Sequence, residues 1–205
     1  MEQSIEKKII TRIKGHGKGW SFSPKDFTDL GPRVAIDTSL HRLQASGNIR
    51  RVMRGIYDYP KIGKLIQKPL SPDIWSIAQT IARKNGWKIV PSGETALNAF
   101  GLSTQVPGKY IFYTDGKDQE YRLENRILTF RRRAPKDLQQ ANGSCSIVIQ
   151  ALKTLGKDRV DESVIRAIRE KLSLNEKKEL LKKAQYGTDW VFAEIKKICK
   201  ESDDG

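Results

Sequence analysis

The chain has 205 residues, of which 38 are Lys or Arg and 24 are Asp or Glu, so its net charge is +14. No run approaches the roughly 18 apolar residues that cross a bilayer, and the opening MEQSIEKKII has no apolar signal core. These features argue against a membrane protein and predict a cytoplasmic one whose basic surplus meets nucleic acid.

Helical patterns dominate the first 46 residues. SIEKKIITRIKG predicts a helix that ends at Gly15, SPKDFTDLG a short helix capped by Ser23, and PRVAIDTSLHRLQASG a third helix followed by Gly47. Between the first two, GHGKGW lacks a preceding strand and the Ser or Thr that follows Lys in a phosphate loop, so we expect a connector. The side chains predicted to pack inward are Ile5, Ile9, Ile10, Ile13, Phe27, Leu30, Ile36, Leu40 and Leu43.

A hairpin is predicted next, in GNIRRVMRGIYDYP at residues 47–60. The spacing gives two strands, about 50–53 and 56–59, joined at Arg54-Gly55 and stopped by Pro60. Val52 and Ile56 are expected to close over the helical core, which leaves the three arginines of this stretch at the rim. Helix, short helix, helix and ribbon in this order are typical of a winged helix–turn–helix.

The pattern changes after IGKLIQKPLSP, whose two prolines and weak core signal predict a linker. Beyond it we expect a helix capped by Ser71, a strand at WKIVPSG, a short helix at GETALNAFG, and strands at KYIFYTDG and YRLENRILTFRRR. Four helices are predicted to follow, over 145–155, 161–172, 175–185 and 188–200.

We therefore predict an α+β fold in two domains. The first is a winged helix–turn–helix at residues 1–62, followed by a linker at 63–70. The second is a mixed α/β domain at 71–140 with a small antiparallel sheet, completed by C-terminal helices at 141–200; residues 201–205 form an acidic tail.

The third predicted helix turns polar and cationic side chains outward, where they suit base edges and phosphates. For this helix considered alone, the alternative to DNA contact is an ordinary solvated helix face. The arginine-bearing hairpin favours DNA, since both elements would lie against one duplex. Residues 1–68 carry a net charge of about +8, more than half of the surplus. The predicted DNA-binding residues are Arg33, Thr38, His41, Arg42, Arg50, Arg51 and Arg54.

Two other classes of function stay open. Glu94, Asp115 and Glu120 are a candidate carboxylate set for a metal-dependent nuclease, although Asp-Gly is also the common hairpin signal. The same basic surface would suit an RNA-binding module. Because His-x-x-x-His, Cys-x-x-Cys and Gly-x-Ser-x-Gly are absent from the sequence, we expect no enzyme, catalytic residue, metal or cofactor. Cys145 and Cys199 are expected to be reduced, partly buried thiols.

Three blocks in order, VAIDTSLHRLQASGNIRRVMRGIYDYP, IVPSGETALNAFGLSTQVP and YIFYTDG, resemble the AbiEi-type antitoxin family of bacterial abortive-infection toxin–antitoxin systems. The resemblance covers roughly residues 5–135 and is specific in order and spacing. The second block contains a hallmark motif of the family, for which we expect an architectural role. Its residues in this chain are Pro91, Ser92, Gly93, Thr104, Gln105 and Pro107.

The resemblance implies a winged helix that binds operator DNA upstream of its own operon, and an α/β domain needed for antitoxicity. It also implies a nucleotidyltransferase-type toxin encoded beside the protein. We therefore expect an antitoxin and transcriptional autorepressor. Winged helices often occupy inverted repeats as pairs, so a homodimer on DNA is compatible with this expectation. The basic positions that match those of the family's winged helix are Arg33, Arg42, Arg50, Arg51 and Arg54.

Overall fold

The computed structural model describes residues 4–63, 67–103, 108–134, 138, 144–185 and 188–200. The fold is α+β, and the chain divides into two compact units, Met1–Trp87 and Lys88–Gly205. Each unit has its own small sheet and its own helices. Among the described residues, none of the helices combines the length and the apolar character that crossing a membrane requires.

The first unit combines α-helices with a three-stranded antiparallel sheet. Its elements in chain order are α1 (Ile5–His16), β1 (Ser21–Phe22), a 3-10 helix (Pro24–Phe27), α2 (Arg33–Ala45), β2 (Arg50–Met53), β3 (Ile56–Asp58) and α3 (Ile74–Asn85). The strand order is β1-β3-β2, so the hairpin's second strand is the central one.

One apolar core joins α1, α2 and the sheet of this unit. Apolar residues three and four positions apart turn one face of each helix into it, which confirms the inward faces predicted for these two helices. The buried members are Ile9, Ile13, Phe22, Phe27, Ile36, Leu40, Leu43 and Ile49. Ile56 of β3 is also buried, as expected, and Val52 is half-buried.

The ends of the first helices follow from local sequence. α1 runs to His16, one residue beyond the predicted exit, and ends at Gly17 with φ of 84°. α2 begins directly after Pro32, and Gly47 beyond its end takes φ of 72°, the left-handed conformation that favours glycine.

Strand β1 was not predicted, and its residues lie just after the segment expected to be a connector. Two residues are too few to show an alternating pattern, so β1 is defined only by its pairing with β3. The predicted connector is also hydrogen-bonded to the residue that follows β3, since the Gly19 N–H donates to the carbonyl oxygen of Tyr59 at 2.6 Å.

Helix α3 belongs to the first unit, whereas the sequence placed it in the second domain. Ser76 Oγ accepts the Ser21 N–H at 2.8 Å, and Thr80 Oγ1 donates to the Ser21 carbonyl oxygen at 2.7 Å. These bonds satisfy the backbone of the short strand β1. The helix begins at Ile74 and is capped by Asp73, not by Ser71.

The second unit has a four-stranded sheet and the remaining helices. Its strands are β4 (Ile89–Pro91), β5 (Lys109–Thr114), β6 (Gln119–Leu123) and β7 (Arg126–Arg132). Its α-helices are α4 (Gly93–Phe100), α5 (Ser144–Leu155), α6 (Glu162–Arg169), α7 (Leu174–Ala184) and α8 (Asp189–Cys199). These elements lie where the sequence placed them, with ends that shift by up to three residues.

The sheet of the second unit is mixed, so the prediction of an antiparallel sheet is wrong. The strand order is β4-β5-β7-β6, and β5 pairs with β7 in parallel. The β6–β7 hairpin places its more apolar strand, with buried Leu128 and Phe130, in the sheet interior, and leaves the polar QEYRL strand at the edge.

Candidate nucleic-acid interface

The outward face of α2 is open to solvent. The four residues of this helix that were predicted to bind DNA are all exposed: Arg33, Thr38, His41 and Arg42. Val34 shares this face and is 78% exposed, and its carbonyl oxygen accepts the Thr38 hydroxyl. The helix therefore presents a mixed cationic, polar and apolar face.

The two arginines of this face have weak partners. Arg33 Nε donates to both carboxylate oxygens of Asp37 at 2.9 Å, one turn later on the helix. Arg42 Nη1 lies 3.9 Å from Glu6 Oε2, which is a loose ion pair. Exposed pairs of this kind contribute only about 0–1 kcal/mol, so a strongly anionic partner can compete for these arginines.

The structure places Arg50 differently from the prediction. Its Nε and Nη2 donate to the two carboxylate oxygens of Asp58 at 3.0 and 2.6 Å, and Nη2 also donates to the Leu70 carbonyl oxygen. Asp58 is 2% exposed, so this bidentate pair takes the place of water around its charge. Arg50 is thus tied to a buried carboxylate and is not held out at the rim.

A bulge in β2 decides which arginine meets Asp58. A regular hairpin with a two-residue turn would place Arg51 opposite Asp58. The observed register shifts by one residue between Arg51 and Met53, which puts Arg50 there instead. Arg51 and Arg54 are exposed, and neither side chain makes a hydrogen bond or an ion pair within the part of the chain that the structure describes.

The tyrosines of the hairpin pack inward. Tyr57 and Tyr59 are half-buried against the core of the first unit, and the Tyr57 ring stacks on Phe22 with centroids 6.2 Å apart. They anchor the ribbon and do not form an open stacking platform.

The start of α2 and the turn of the hairpin meet at one surface cavity of about 180 Å³. Arg33 of the helix and Gly55 of the turn both contribute to its wall, and Arg54 is the neighbouring turn residue. The structure therefore brings these two predicted elements together. The lining residues are Ser23, Pro24, Lys25, Arg33, Gly55 and Lys84.

A wider cleft of about 440 Å³ lies elsewhere in the first unit, but its charges are used internally. Arg12 binds Asp29 in a bidentate pair, and Arg83 binds Asp26. His16 stacks on a tryptophan ring at 3.9 Å; burial, followed by the charge of Arg83, lowers its pKa. The lining residues are Arg12, His16, Trp20, Asp26 and Arg83.

Two of the three carboxylates of the nuclease alternative have partners in the second unit. Asp115 Oδ1 accepts the Lys88 N–H at 2.8 Å, and Glu120 Oε2 lies 3.4 Å from Lys109 Nζ. Glu94 is exposed in the first turn of α4. No group of three or more His, Cys, Asp or Glu placed to hold a metal ion occurs among the described residues.

The first half of the hallmark motif has an architectural place. Ser92 caps α4, since its Oγ accepts the Thr95 N–H. A Cβ on Gly93 would lie 2.4 Å from Thr154 Oγ1, so only glycine allows α4 to approach α5 this closely. Thr104, Gln105 and Pro107 lie outside the described residues.

The two cysteines are interior thiols of the second unit. Cys145 on α5 is buried and Cys199 at the end of α8 is half-buried, and both are free. Burial raises the pKa of each thiol, which keeps both protonated and unreactive at neutral pH.

The sequence did not single out three residues that shape this interface. The sequence identified Asp58 only as a residue of a predicted strand. The pattern that comes closest to indicating its role is an acid opposite an arginine across a short turn. Lys25 and Lys84 are 59 positions apart and meet only in the fold, where Lys25 Nζ donates to the Lys84 carbonyl oxygen at 3.1 Å.

Comparisons with known proteins place the chain in a family without assigning it a function. Among the solved structures that it resembles is the crystal structure of RV2827C protein from Mycobacterium tuberculosis, with 10% identity and a TM-score of 0.39 over 97% of this chain and 77% of that chain. A similarity this low carries no argument about function. No curated protein matches the chain. A family model matches residues 8–180, and the chain belongs to that family, which is described as a family of unknown function, DUF6088.

Proposed function

We propose that the first unit is a winged helix–turn–helix that binds duplex DNA, and that the protein is a transcriptional regulator and not an enzyme. The observation that carries the proposal is the exposed face of α2 beside a hairpin whose Arg51 and Arg54 have no partner in the described part of the chain. The element order of the unit, with a hairpin directly after an exposed helix, supports it.

In this proposal α2 enters the major groove. Arg42 contacts a guanine edge or a phosphate, and Thr38 and His41 make shorter polar contacts beside it. Val34, which is largely exposed, contacts a thymine methyl group.

Arg51 and Arg54 bind phosphates of the adjacent groove. Each neutralised phosphate releases counterions, so binding weakens steeply with salt. An arginine without a carboxylate partner has no internal pair to break before it meets a phosphate, which favours Arg51 and Arg54 over Arg50 for this role.

The packing of the hairpin tyrosines supports duplex DNA over RNA. Single-stranded nucleic acid is bound largely by aromatic side chains on which bases stack. Tyr57 and Tyr59 are instead packed against the core. The exposed groups on this surface suit contacts with base edges in a groove and with backbone phosphates.

The resemblance to AbiEi-type antitoxins extends the proposal to a biological role. On this basis the DNA is the operator of the protein's own operon, the protein is an antitoxin and autorepressor, and a nucleotidyltransferase-type toxin is encoded beside it. A co-transcribed gene for such an enzyme supports the antitoxin role, whereas its absence limits the proposal to regulation.

Fluorescence anisotropy with the full chain tests DNA binding. One labelled duplex comes from the protein's own promoter, and a second has the same composition in scrambled order. We expect the promoter duplex to bind at least about 10³-fold more tightly, and both affinities to fall between about 50 and 200 mM salt. Equal affinity for the two duplexes would reject sequence-specific regulation.

Variants of α2 test whether its side chains contact DNA bases or the DNA backbone. Arg42→Gln and Thr38→Ala should each reduce discrimination between the two duplexes by about 1–3 kcal/mol while leaving the scrambled duplex nearly unaffected. If either variant weakens both duplexes equally, that side chain contacts the backbone and not a base.

A further inference from the structure

The cavity between α2 and the hairpin has two walls that do not belong to either element. Lys25 comes from the 3-10 helix and Lys84 from the last turn of α3. Helix α3 follows the hairpin in the chain by 15 residues and is held on the first unit by its bonds to Ser21. These bonds fix the position of Lys84 relative to the hairpin.

Cationic residues contribute to the wall of the cavity. Lys25, Arg33 and Lys84 are half of the residues that line it. Asp37 takes only the Nε of Arg33, which leaves the terminal N–H groups of that guanidinium available in the described structure. Asp26 lies nearby on the 3-10 helix, but its carboxylate is engaged by Arg83.

One lysine is hydrogen-bonded at the cavity, and the other lies close to the turn of the hairpin. Lys25 Nζ donates to the carbonyl oxygen of Lys84, so its ammonium offsets the negative end of α3. Lys84 Nζ lies 3.3 Å from the position that a Cβ on Gly55 would occupy. The absence of a side chain at Gly55 therefore lets the Lys84 ammonium approach the turn.

We infer that this cavity binds a phosphodiester group of the DNA backbone, with Lys25 and Lys84 as ligands in addition to Arg33. The inference rests on the proposed function. Lys is a common phosphate ligand that acts as a compact point charge, and three cations around one small cavity suit a single phosphate.

The position of the cavity selects backbone phosphate as the occupant. Its walls include the first residue of α2 and the turn of the hairpin, the two elements that contact DNA in the proposal. A duplex that meets both elements passes its backbone across the gap between them. Helix α3 then becomes part of the DNA-binding surface, beyond the helix–turn–helix and the hairpin.

The test uses Lys25→Gln, Lys84→Gln and the double variant of the full chain, with Lys14→Gln as a matched control. Lys14 is exposed on α1, in the same unit, and does not line the cavity. Binding to the promoter and scrambled duplexes is measured across a salt series. Each cavity variant should weaken both duplexes about fivefold, and the double variant should reduce the salt slope by up to about 0.9, the value for one neutralised phosphate.

The control and a charge-restoring variant make the result specific. Lys14→Gln should change the slope by less than a third as much, since it lowers net charge without removing a contact. Lys84→Arg keeps the positive charge, so its salt slope should match that of the unaltered chain and not that of Lys84→Gln. Circular dichroism melting of each variant establishes that the fold is retained.

The outcomes separate this inference from the proposed function. An unchanged salt slope in the Lys25 and Lys84 variants, with binding still lost on Arg51→Gln and Arg54→Gln, overturns the phosphate site and leaves DNA binding in place. If the unaltered chain binds neither duplex, both proposals fail.

Discussion

Two arginine clusters in this protein have similar sequences and different surroundings. In the first unit, the hairpin carries Arg50, Arg51 and Arg54, of which only Arg50 has an ion-pair partner among the described residues. In the second unit, RRR at 131–133 ends strand β7, and the acid that faces it is Asp118.

The second cluster is largely occupied by internal contacts. Arg131 Nη1 lies 3.1 Å from Asp118 Oδ2, the Arg132 N–H donates to the same carboxylate, and Arg133 lies over the Tyr113 ring at 4.9 Å. The Arg132 backbone bond and then the Arg131 side chain lower the pKa of Asp118. Arg131 and Arg133 therefore have internal contacts that Arg51 and Arg54 lack among the described residues.

Replacing Arg50 should lower the free energy of unfolding far more than replacing Arg51 of the same hairpin. Arg50→Ala leaves the carboxylate of Asp58 buried and unpaired, so we expect the free energy of unfolding to fall by about 2–3 kcal/mol. Arg51→Ala should change it by no more than about 0.5 kcal/mol. Urea unfolding followed by tryptophan fluorescence measures both. Equal losses in the two variants would contradict the observed register.

Gly93→Ala tests whether the hallmark motif is used inside the second unit. The added Cβ meets Thr154 Oγ1, which is short, β-branched and bonded to Gln150, so the clash cannot be relieved at the end of a flexible chain. We expect a loss of about 2 kcal/mol in unfolding free energy.

A second substitution provides the control for Gly93→Ala. Thr154→Ala removes the two closest atoms, Oγ1 and Cγ2, so the double variant should recover part of the loss relative to the sum of the single changes. Strict additivity would argue that the two residues do not contact each other.

DNA binding measures directly how the two arginine clusters differ. Arg51→Gln with Arg54→Gln should weaken binding to every duplex about tenfold and lower the salt slope by about 1.8. Arg131→Gln with Arg133→Gln removes the same charge from the second unit and should change the slope far less, since these side chains already have partners. Similar losses from both pairs would make the second cluster a contact too.

His16 of the first unit, whose ring stacks on Trp20, should have a small effect on how the unfolding free energy depends on pH. Its lowered pKa means that the unfolded chain binds a proton more readily than the fold does. Stability from this group is therefore present above about pH 6.5 and is lost as the pH falls through the lowered value. His16→Phe keeps a ring beside Trp20 and should flatten the profile of unfolding free energy between about pH 5 and 7. An unchanged profile would contradict the shift.

Much of the fold follows from local patterns. The spacing of Ile9, Ile13, Ile36 and Leu40 marks the helical faces of the first core. The turn at Arg54-Gly55 sits where the sequence placed it, and most elements of the second unit lie within a few residues of their predicted ranges. These features depend on residues close together in the chain.

The parts that were missed depend on pairing between distant residues. Strand β1 exists because it bonds to β3, and α3 joins the first unit through Ser76 and Thr80. The parallel pairing of β5 with β7 has no signature in either strand alone, since it is selected by which strand of the β6–β7 hairpin is the more apolar.

Local sequence patterns are sufficient to predict the first core, the hairpin and the basic character of the region that carries them, because periodicity and turn residues act over a few positions. Tertiary structure decided which arginines remain exposed. One extra residue in β2 turns Arg50 toward Asp58 and leaves Arg51 outside, since a shift of a single position reverses the face of a strand to which each side chain points.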